Sequence, residues 1–213
     1  MKKLCALLVV SVTSCLIADV HILLPSLEYG SATSEIADPY VSLDLDFDGF
    51  GVGLRYMYFA DSGPYLGALL NSVNGEGDAC ITYDESLRTL VAPGCVDLES
   101  SGSTFGGEIG MQLERLTPFL GVSLVRSEVT IQNSWIEGES DDSWEFHAGT
   151  FVYLDDVMLQ ATVYGLANEE SRTLSGGILY MFPNDFVLGI ELGTPLDPDV
   201  DGLVLSLGVG MRF

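Results

Sequence analysis

The sequence predicts an all-β fold, an antiparallel up-and-down transmembrane barrel of about ten strands, with eight or twelve strands as alternatives. Three observations predict it: long segments alternate between apolar and polar residues, tight-turn signals join several of them, and short and long connections follow one another. Alternation with a period of two gives a strand one apolar and one polar face. Alternating connection lengths are typical of barrels that span a membrane.

The composition limits the class of protein. The chain has 213 residues, of which 24 are glycine, and its 31 acidic and 8 basic side chains give a formal net charge of −23. Its mean hydropathy is nevertheless positive, at +0.33. Nucleic-acid binders need a basic face, so the charge argues against a nucleic-acid partner. A positive hydropathy in so acidic a chain predicts apolar side chains outside a soluble core.

The beginning of the chain, residues 1–18, has the pattern of a secretory signal peptide. Lys2 and Lys3 precede an apolar run that is too short to span a membrane as a helix. Cleavage is predicted after Ala18. The residues before Cys15 resemble a lipoprotein cleavage motif, which leaves lipidation of Cys15 as an alternative.

Two cysteines lie beyond this segment, Cys80 and Cys95, in a polar stretch that contains glycine. An exported chain meets an oxidising compartment, so a disulfide between them is predicted. In the chain-entropy model, closing a loop of this size stabilises a fold by about 3 kcal/mol. No histidine lies near either cysteine in the sequence, which argues against a catalytic thiol.

Turn signals divide the period-two segments into strands. Hairpins are predicted at Asp48-Gly49, Asp155-Asp156 and 183–185, because apolar residues face each other across each of these turns. Residues 19–37 are predicted to be an N-terminal periplasmic segment, and the barrel is predicted to occupy 38–213. The predicted strands are 38–48, 50–59, 65–71, 103–114, 119–132, 143–154, 157–166, 172–182, 186–192 and 201–213.

Two features of these strands have alternative explanations. The alternation in 119–132 changes parity after Leu124, which predicts either a bulge or an extension beyond the bilayer. The whole set could also form a soluble sandwich or a lipocalin-like barrel with its apolar face inward. The absence of lysine beyond the signal segment argues against a soluble exterior.

The chain ends on an alternating run in which Ser206, Gly208, Met211 and Phe213 fit the terminal β-signal of outer-membrane barrels. With the signal peptide and the period-two segments, this motif makes the chain resemble the small bacterial outer-membrane β-barrel family, of the outer membrane protein A transmembrane-domain type. The resemblance implies a monomer in the bacterial outer membrane that contacts its lipid and lipopolysaccharide. It also implies recognition of the C-terminal strand by the barrel assembly machinery.

The polar faces carry ionisable residues that are predicted to form a salt-bridged network in a narrow lumen. Charges in so narrow a space must be paired or hydrated, and a barrel of this size leaves little free bore. We therefore expect a polar lumen closed by side chains, with a narrow pore for ions or small solutes as the alternative. The predicted network consists of Asp44, Arg55, Glu108, Glu145, His147, Glu191 and Arg212.

No catalytic residues are predicted. His147 is expected to pair across its hairpin with Tyr164, but no nucleophile or metal-binding motif accompanies it. Members of the resembled family include anchors, adhesins, pores and lipid-modifying enzymes, so the fold alone does not decide the function. The favoured function is a non-enzymatic structural or surface-interaction role, and a lipid-modifying enzyme is the least favoured.

A divalent-cation site is a further hypothesis, and no other cofactor is predicted. Segments 44–49 and 197–202 share the pattern D-x-D-x-D-G, but both lack the glutamate at position twelve of a calcium loop. If the first predicted strand pairs with the last, the Asp48-Gly49 tip lies beside the second segment. A Ca²⁺ or Mg²⁺ ion at the outer rim would then have five ligand candidates, Asp46, Asp48, Asp197, Asp199 and Asp201; two solvated acidic loops are the alternative.

Overall fold

The computed structural model describes residues 20–38, 41–60, 63–83, 94–131, 139–169 and 171–213, and these form one closed barrel of ten antiparallel strands. Each strand pairs with the next along the chain, and β10 pairs with β1. No helix in these ranges is long and apolar enough to cross a membrane. The predicted fold class is confirmed. The strands are β1 (Val20–Asp38), β2 (Val41–Phe59), β3 (Pro64–Tyr83), β4 (Gly94–Met111), β5 (Leu116–Ile131), β6 (Glu139–Leu154), β7 (Val157–Tyr164), β8 (Thr173–Met181), β9 (Phe186–Pro195) and β10 (Val200–Arg212).

The first strand lies in the segment that was predicted to be periplasmic. β1 pairs with β2 along its whole length, from Val20 opposite Phe59 to Asp38 opposite Val41. The assignment of 19–37 to a periplasmic segment is therefore wrong, because the barrel already begins at Val20. Its apolar residues are partly consecutive, so β1 lacks the alternation by which the other strands are recognised. The predicted signal peptide, with Ala18 and Cys15, lies outside the described residues.

β2 runs without a break through Asp48-Gly49, where a hairpin was predicted. Gly49 lies opposite Gly30 of β1 on one side and Gly75 of β3 on the other. The segments 38–48 and 50–59 are therefore not two paired strands, and the hairpin prediction is wrong. The total of ten strands is nevertheless correct, because the missed strand β1 replaces the one that does not exist.

The apolar and polar faces of β2 change places at Gly49. The outward side chains are acidic before Gly49, as at Asp44 and Asp46, and apolar after it, as at Phe50 and Val52. A wall that passes from water into lipid needs this change on its outer face. β5 behaves similarly, since its pairing with β4 and β6 is continuous through the change of parity. The parity change in β5 is therefore an extension and not a bulge.

The other two predicted turns are confirmed. Leu154 lies opposite Val157 across the Asp155-Asp156 turn. Across the next turn, the Phe182 N–H donates to the Phe186 carbonyl at 2.8 Å. Asp155 has a positive φ of 55°, a conformation that aspartate tolerates better than most residues. Apolar register and turn chemistry agree at both sites, which is why sequence reasoning succeeds there.

The barrel has two different ends. The short connections between β2 and β3, β4 and β5, β6 and β7, and β8 and β9 lie at one end, called the turn end, together with Val20 and Phe213. The opposite end is called the loop end. In outer-membrane barrels the short turns face the periplasm and the longer loops face outward.

The wall is taller on one side than on the other. β1 to β4 have 18–20 residues and β5 and β6 have 16, whereas β7 to β10 have 8–13. A tilted strand needs about 9–11 residues to cross a bilayer. The loop-end parts of β1–β6, called the extension, therefore project beyond the membrane.

The predicted disulfide is present in the extension, where Cys80 of β3 lies opposite Cys95 of β4 with a Cα–Cα distance of 4.0 Å. Replacing both cysteines by serine is expected to lower the free energy of unfolding by about 3 kcal/mol. Denaturant titration of the oxidised protein and the double variant measures the difference. The matched control is Ser72→Ala/Ser103→Ala, a pair that lies opposite on the same strands without a covalent bond. Equal stability of the double variant and the oxidised protein would contradict this prediction.

Candidate functional site

The turn end of the lumen is filled by apolar side chains, called the apolar plug. The rings of Phe119 and Phe151 stack with their centroids 4.9 Å apart, and Tyr65 meets Phe151 edge-on at 5.3 Å. The lumen was predicted to be polar throughout, and that prediction is wrong at this end. The plug consists of Ile22, Met57, Phe59, Tyr65, Phe119, Phe151, Met158, Leu179, Met181 and Val187, all of them buried.

A buried ion pair lies directly above the apolar plug. Nη2 of Arg55 donates to both carboxylate oxygens of Glu108, at 2.7 and 3.0 Å, and Nη1 donates to Gln160 at 2.8 Å. The Tyr65 hydroxyl also donates to Glu108, and the guanidinium of Arg55 stands 5.4 Å over the ring of Phe151. The side chain of Glu108 is fully buried. Both of its oxygens are therefore occupied by donors that rest on the apolar plug.

His147 of β6 adjoins this ion pair along the wall, in one row with Glu108 of β4 and Gly121 of β5. Its Nε2 lies 3.4 Å from Oε1 of Glu108, and its ring lies 5.2 Å from that of Tyr164. The predicted pairing with Tyr164 is therefore confirmed. Only 1% of His147 is exposed, so the imidazole has no contact with the outside of the wall. Its neighbours make it part of the lumen packing.

Close packing around His147 depends on a glycine in the neighbouring strand. A Cβ on Gly121 would lie 2.0 Å from Nε2 of His147. Gly121→Ala is therefore expected to displace the imidazole and lower the free energy of unfolding by about 1–3 kcal/mol. The measurement is denaturant titration beside Gly107→Ala, because a Cβ on Gly107 meets only an ordinary contact, at 3.8 Å. Equal stability of the two variants would contradict the assigned packing.

A cavity of about 340 Å³ lies above the ion pair and reaches Ser171, in the connection 165–172 of the loop end. Three carboxylates line it, those of Glu28, Glu145 and Glu191. Asn71 donates to Glu28 at 3.1 Å, and Nη1 of Arg55 lies 3.8 Å from Glu191. Glu191 also accepts hydrogen bonds from Tyr164 and Ser175. The cavity thus carries more negative than positive charge.

Five of the seven predicted network residues lie in the lumen, and two lie elsewhere. Asp44 is exposed on the outward face of the extension, so its assignment to the lumen is wrong. That assignment assumed a hairpin at Asp48-Gly49. Arg212 lies at the turn end and donates to Asp185 at 2.9 Å, so it belongs to the rim and not to the network. The five members that the structure brings together are Arg55, Glu108, Glu145, His147 and Glu191.

Sequence reasoning missed several uncharged members of the site and one charged one. Tyr65 and Asn71 of β3 and Gln160 of β7 occupy inward positions in segments that were predicted to be strands, so the period-two alternation alone could have identified them. Glu28 was missed because its strand was not recognised.

The acidic residues of the proposed rim site are not gathered at one place. Asp46 lies opposite Thr33 of β1, and Thr33 lies opposite Asp201 of β10, so β1 separates the two carboxylates. Asp197 and Asp199 occupy the connection between β9 and β10, where the Asp199 N–H donates to Asp197 at 3.0 Å. The described ranges contain no group of three or more His, Cys, Asp or Glu side chains that could hold a metal ion. The seam that motivated the hypothesis is absent, because the strand paired with β10 is β1.

One ion pair of the extension responds to pH. Arg126 donates to both oxygens of Asp142, at 2.7 and 2.8 Å, and these hydrogen bonds hold the pKa of Asp142 below its ordinary value. A lowered carboxyl pKa adds stability above the unfolded-state pKa, and that stability is lost as the pH falls through the lowered value. Both side chains are about half exposed or more, so the contribution is small.

The outward face of the barrel decides its environment. Large apolar side chains are exposed on β1 to β6 and on β8 to β10, and the lumen that these strands enclose holds charges. A closed barrel with this polarity is surrounded by lipid. The chain forms a transmembrane β-barrel. The outward residues include Phe50, Val52, Leu54, Leu70, Phe105, Ile109, Leu120, Phe146, Leu188, Ile190, Val209 and Met211, each between 38% and 69% exposed.

Comparisons with known proteins agree with this fold. No protein-family model and no curated protein matches the sequence. The barrel is similar to the transport unit of the autotransporter AIDA-I from Escherichia coli, with 10% identity, 90% of each chain covered and a TM-score of 0.54. It is also similar to the beta domain of the Bordetella autotransporter BrkA, with 13% identity, 91% of this chain and 99% of that chain covered, and a TM-score of 0.50. At such identities the likeness concerns the fold alone.

Proposed function

We propose that the protein is a non-enzymatic surface barrel that does not conduct solutes and that acts through its extension. The observation that carries this proposal is the apolar plug, which fills the turn end of the lumen with packed rings. The Arg55–Glu108 pair adds a second closed layer above it. A barrel closed in this way offers its outer surface, and not its bore, to partners.

The extension is the part suited to interaction. Six strands continue beyond the length that a bilayer requires, and a disulfide joins β3 to β4 near their tips. Long strands supported by barrel pairing hold a rigid surface at low entropic cost on binding. The outward side chains of the extension are polar and acidic, as at Asp46 and Glu76, and such side chains suit a surface in water.

The experiment replaces residues 76–99 by an Asn-Gly turn that joins Gly75 directly to Ser100, its partner across β3 and β4. The shortened barrel is expected to keep its heat-dependent shift on gels and to restore envelope integrity to a strain that lacks the protein. Attachment of producing cells to host-cell monolayers, or to one another, is expected to fall at least tenfold. The control is a two-residue insertion in the Asp155-Asp156 turn at the opposite end. Unchanged attachment of the shortened form would overturn the proposal.

A narrow pore is the second candidate, because the cavity above the ion pair is polar and carries Glu28, Glu145 and Glu191. A pore would need a path past the apolar plug. It predicts a steady, cation-selective conductance that falls in Glu191→Gln, whereas a closed barrel predicts none.

A lipid-modifying enzyme is disfavoured by the position of the histidine. His147 is enclosed by the wall and packs against Phe119 and Tyr164, so a lipid substrate outside the barrel cannot reach it. Loss of phospholipid turnover in His147→Gln would reverse this conclusion.

We also propose that the C-terminal strand is the segment that the barrel assembly machinery recognises, and that outer-membrane lipid and lipopolysaccharide surround the wall. The contacts of Phe213 support a part for the C-terminal strand in closing the barrel. The Phe213 N–H donates to the His21 carbonyl at 3.0 Å, and the Phe213 ring stacks on that of His21. Phe213→Ala should therefore lower the fraction of assembled barrel, whereas Phe105→Ala, on the outward face of β4, should leave it unchanged. Equal assembly of both variants would contradict recognition through the terminal aromatic residue.

A further inference from the structure

The cavity in the lumen has an unusual balance of charge. The guanidinium of Arg55 is its lining cation, and its two hydrogen bonds to Glu108 commit it to the ion pair below. Glu28, Glu145 and Glu191 are then left with less than one positive charge to share. Carboxylates that share a cavity repel one another unless they take up a proton or hold a cation. The cavity, of about 340 Å³, is in the range of small-ligand sites.

The carboxylates are placed at two opposite walls. Glu28 of β1 lies opposite Ser206 of β10, and Ser206 lies opposite Glu191 of β9, so the three residues form one row across neighbouring strands. Glu28 and Glu191 interact electrostatically. Glu145 belongs to β6, which is five strands from β1 and therefore diametrically opposed to it in this closed barrel. One wall thus offers two carboxylates, and the other offers one next to His147.

The lining between these two walls is partly apolar. Leu24, Leu69 and Leu179 line the same cavity, as does Tyr164. Contact with such a surface stabilises a bound methylene chain, because it removes apolar surface from water, whereas it does not stabilise a hydrated metal ion. A divalent metal would also need several oxygen ligands converging on one point, and these carboxylates lie on opposite walls. The arrangement therefore favours an elongated organic cation over a metal ion.

We propose that the lumen cavity binds a short aliphatic diammonium ion. One ammonium group lies between Glu28 and Glu191, the second lies at Glu145, and the methylene chain crosses the apolar lining. The site is independent of conduction, so the outcome of its test does not depend on whether the barrel is closed.

The test is calorimetric titration of the folded, detergent-solubilised barrel with putrescine. Saturable binding is expected for putrescine, at least tenfold weaker binding for butylammonium, and none for 1,4-butanediol, which has a similar shape without charge. Glu145→Gln is expected to weaken putrescine at least tenfold and to leave butylammonium unchanged, because only the second ammonium group loses its partner. Glu114→Gln, at an exposed turn-end position, is the matched control.

A second variant tests the same site without removing a carboxylate. Ser206→Lys places an ammonium group in the row between Glu28 and Glu191, and it is expected to abolish putrescine binding while the heat-dependent gel shift is kept. Absence of saturable putrescine binding to the unmodified barrel would overturn the proposal. So would equal binding of 1,4-butanediol, unchanged putrescine affinity in Glu145→Gln, or displacement of putrescine by equimolar Mg²⁺.

Discussion

Glu108→Gln is expected to lower the free energy of unfolding by about 3–5 kcal/mol, because it leaves the charge of Arg55 buried without its carboxylate partner. The Glu108 side chain is fully buried and that of Arg55 is 13% exposed, so water cannot replace the lost contact. The Tyr65 hydroxyl loses an ionised acceptor in the same variant. Guanidinium titration of the barrel in lipid vesicles measures the change.

Removing both charges is the control for this prediction. The double variant Arg55→Met/Glu108→Leu is expected to recover most of the stability, because a buried ion pair replaced by apolar groups of similar volume is often neutral or stabilising. A double variant no more stable than Glu108→Gln would show that the loss arises from disturbed packing rather than from an unpaired charge.

Phe151→Ala is expected to lower the free energy of unfolding by about 3–5 kcal/mol, the usual cost of removing a buried aromatic ring. Phe151 has no exposed surface, and its ring contacts those of Phe119 and Tyr65. Its loss leaves a void where the apolar plug is most closely packed.

The matched control for Phe151→Ala is Phe105→Ala, which removes the same side chain from the outward face, where Phe105 is 62% exposed. It is expected to cost clearly less, since the lipid can fill the space. Equal losses for the two variants, measured by the same titration in vesicles, would contradict a packed core inside the barrel.

β2 shows how far sequence reasoning reaches in this fold. Its apolar residues change parity between Phe47 and Phe50, and an Asp-Gly pair stands between them. A two-residue hairpin gives this signal, because the turn restores the apolar face to the same side. A continuous strand that leaves the lipid gives it as well, because its outward face changes from apolar to acidic. Local pattern cannot distinguish the two, whereas the pairing of β2 with β1 and β3 does.

The residues of the candidate site could be predicted wherever the inward face of a strand was assigned correctly. Arg55, Glu108, His147 and Glu191 lie on the inward faces of β2, β4, β6 and β9, in segments whose period-two alternation assigned them to the lumen, and the structure brings them together. The apolar plug was missed for a physical reason. Inward apolar residues near the turns, such as Phe151, break the rule that one face is apolar and the other polar, because at that depth both faces are apolar. Glu28 could not be assigned to the site, because its strand, β1, lacks a clear alternation of apolar and polar residues.

Planar-bilayer recording of the unmodified, heat-modifiable barrel measures whether the lumen is closed. We expect no steady conductance from this protein, and the appearance of one in Phe119→Ala/Phe151→Ala, which serves as the positive control for insertion. A steady ohmic conductance from the unmodified barrel that is lowered by Glu191→Gln would contradict closure and make the protein a narrow cation pore.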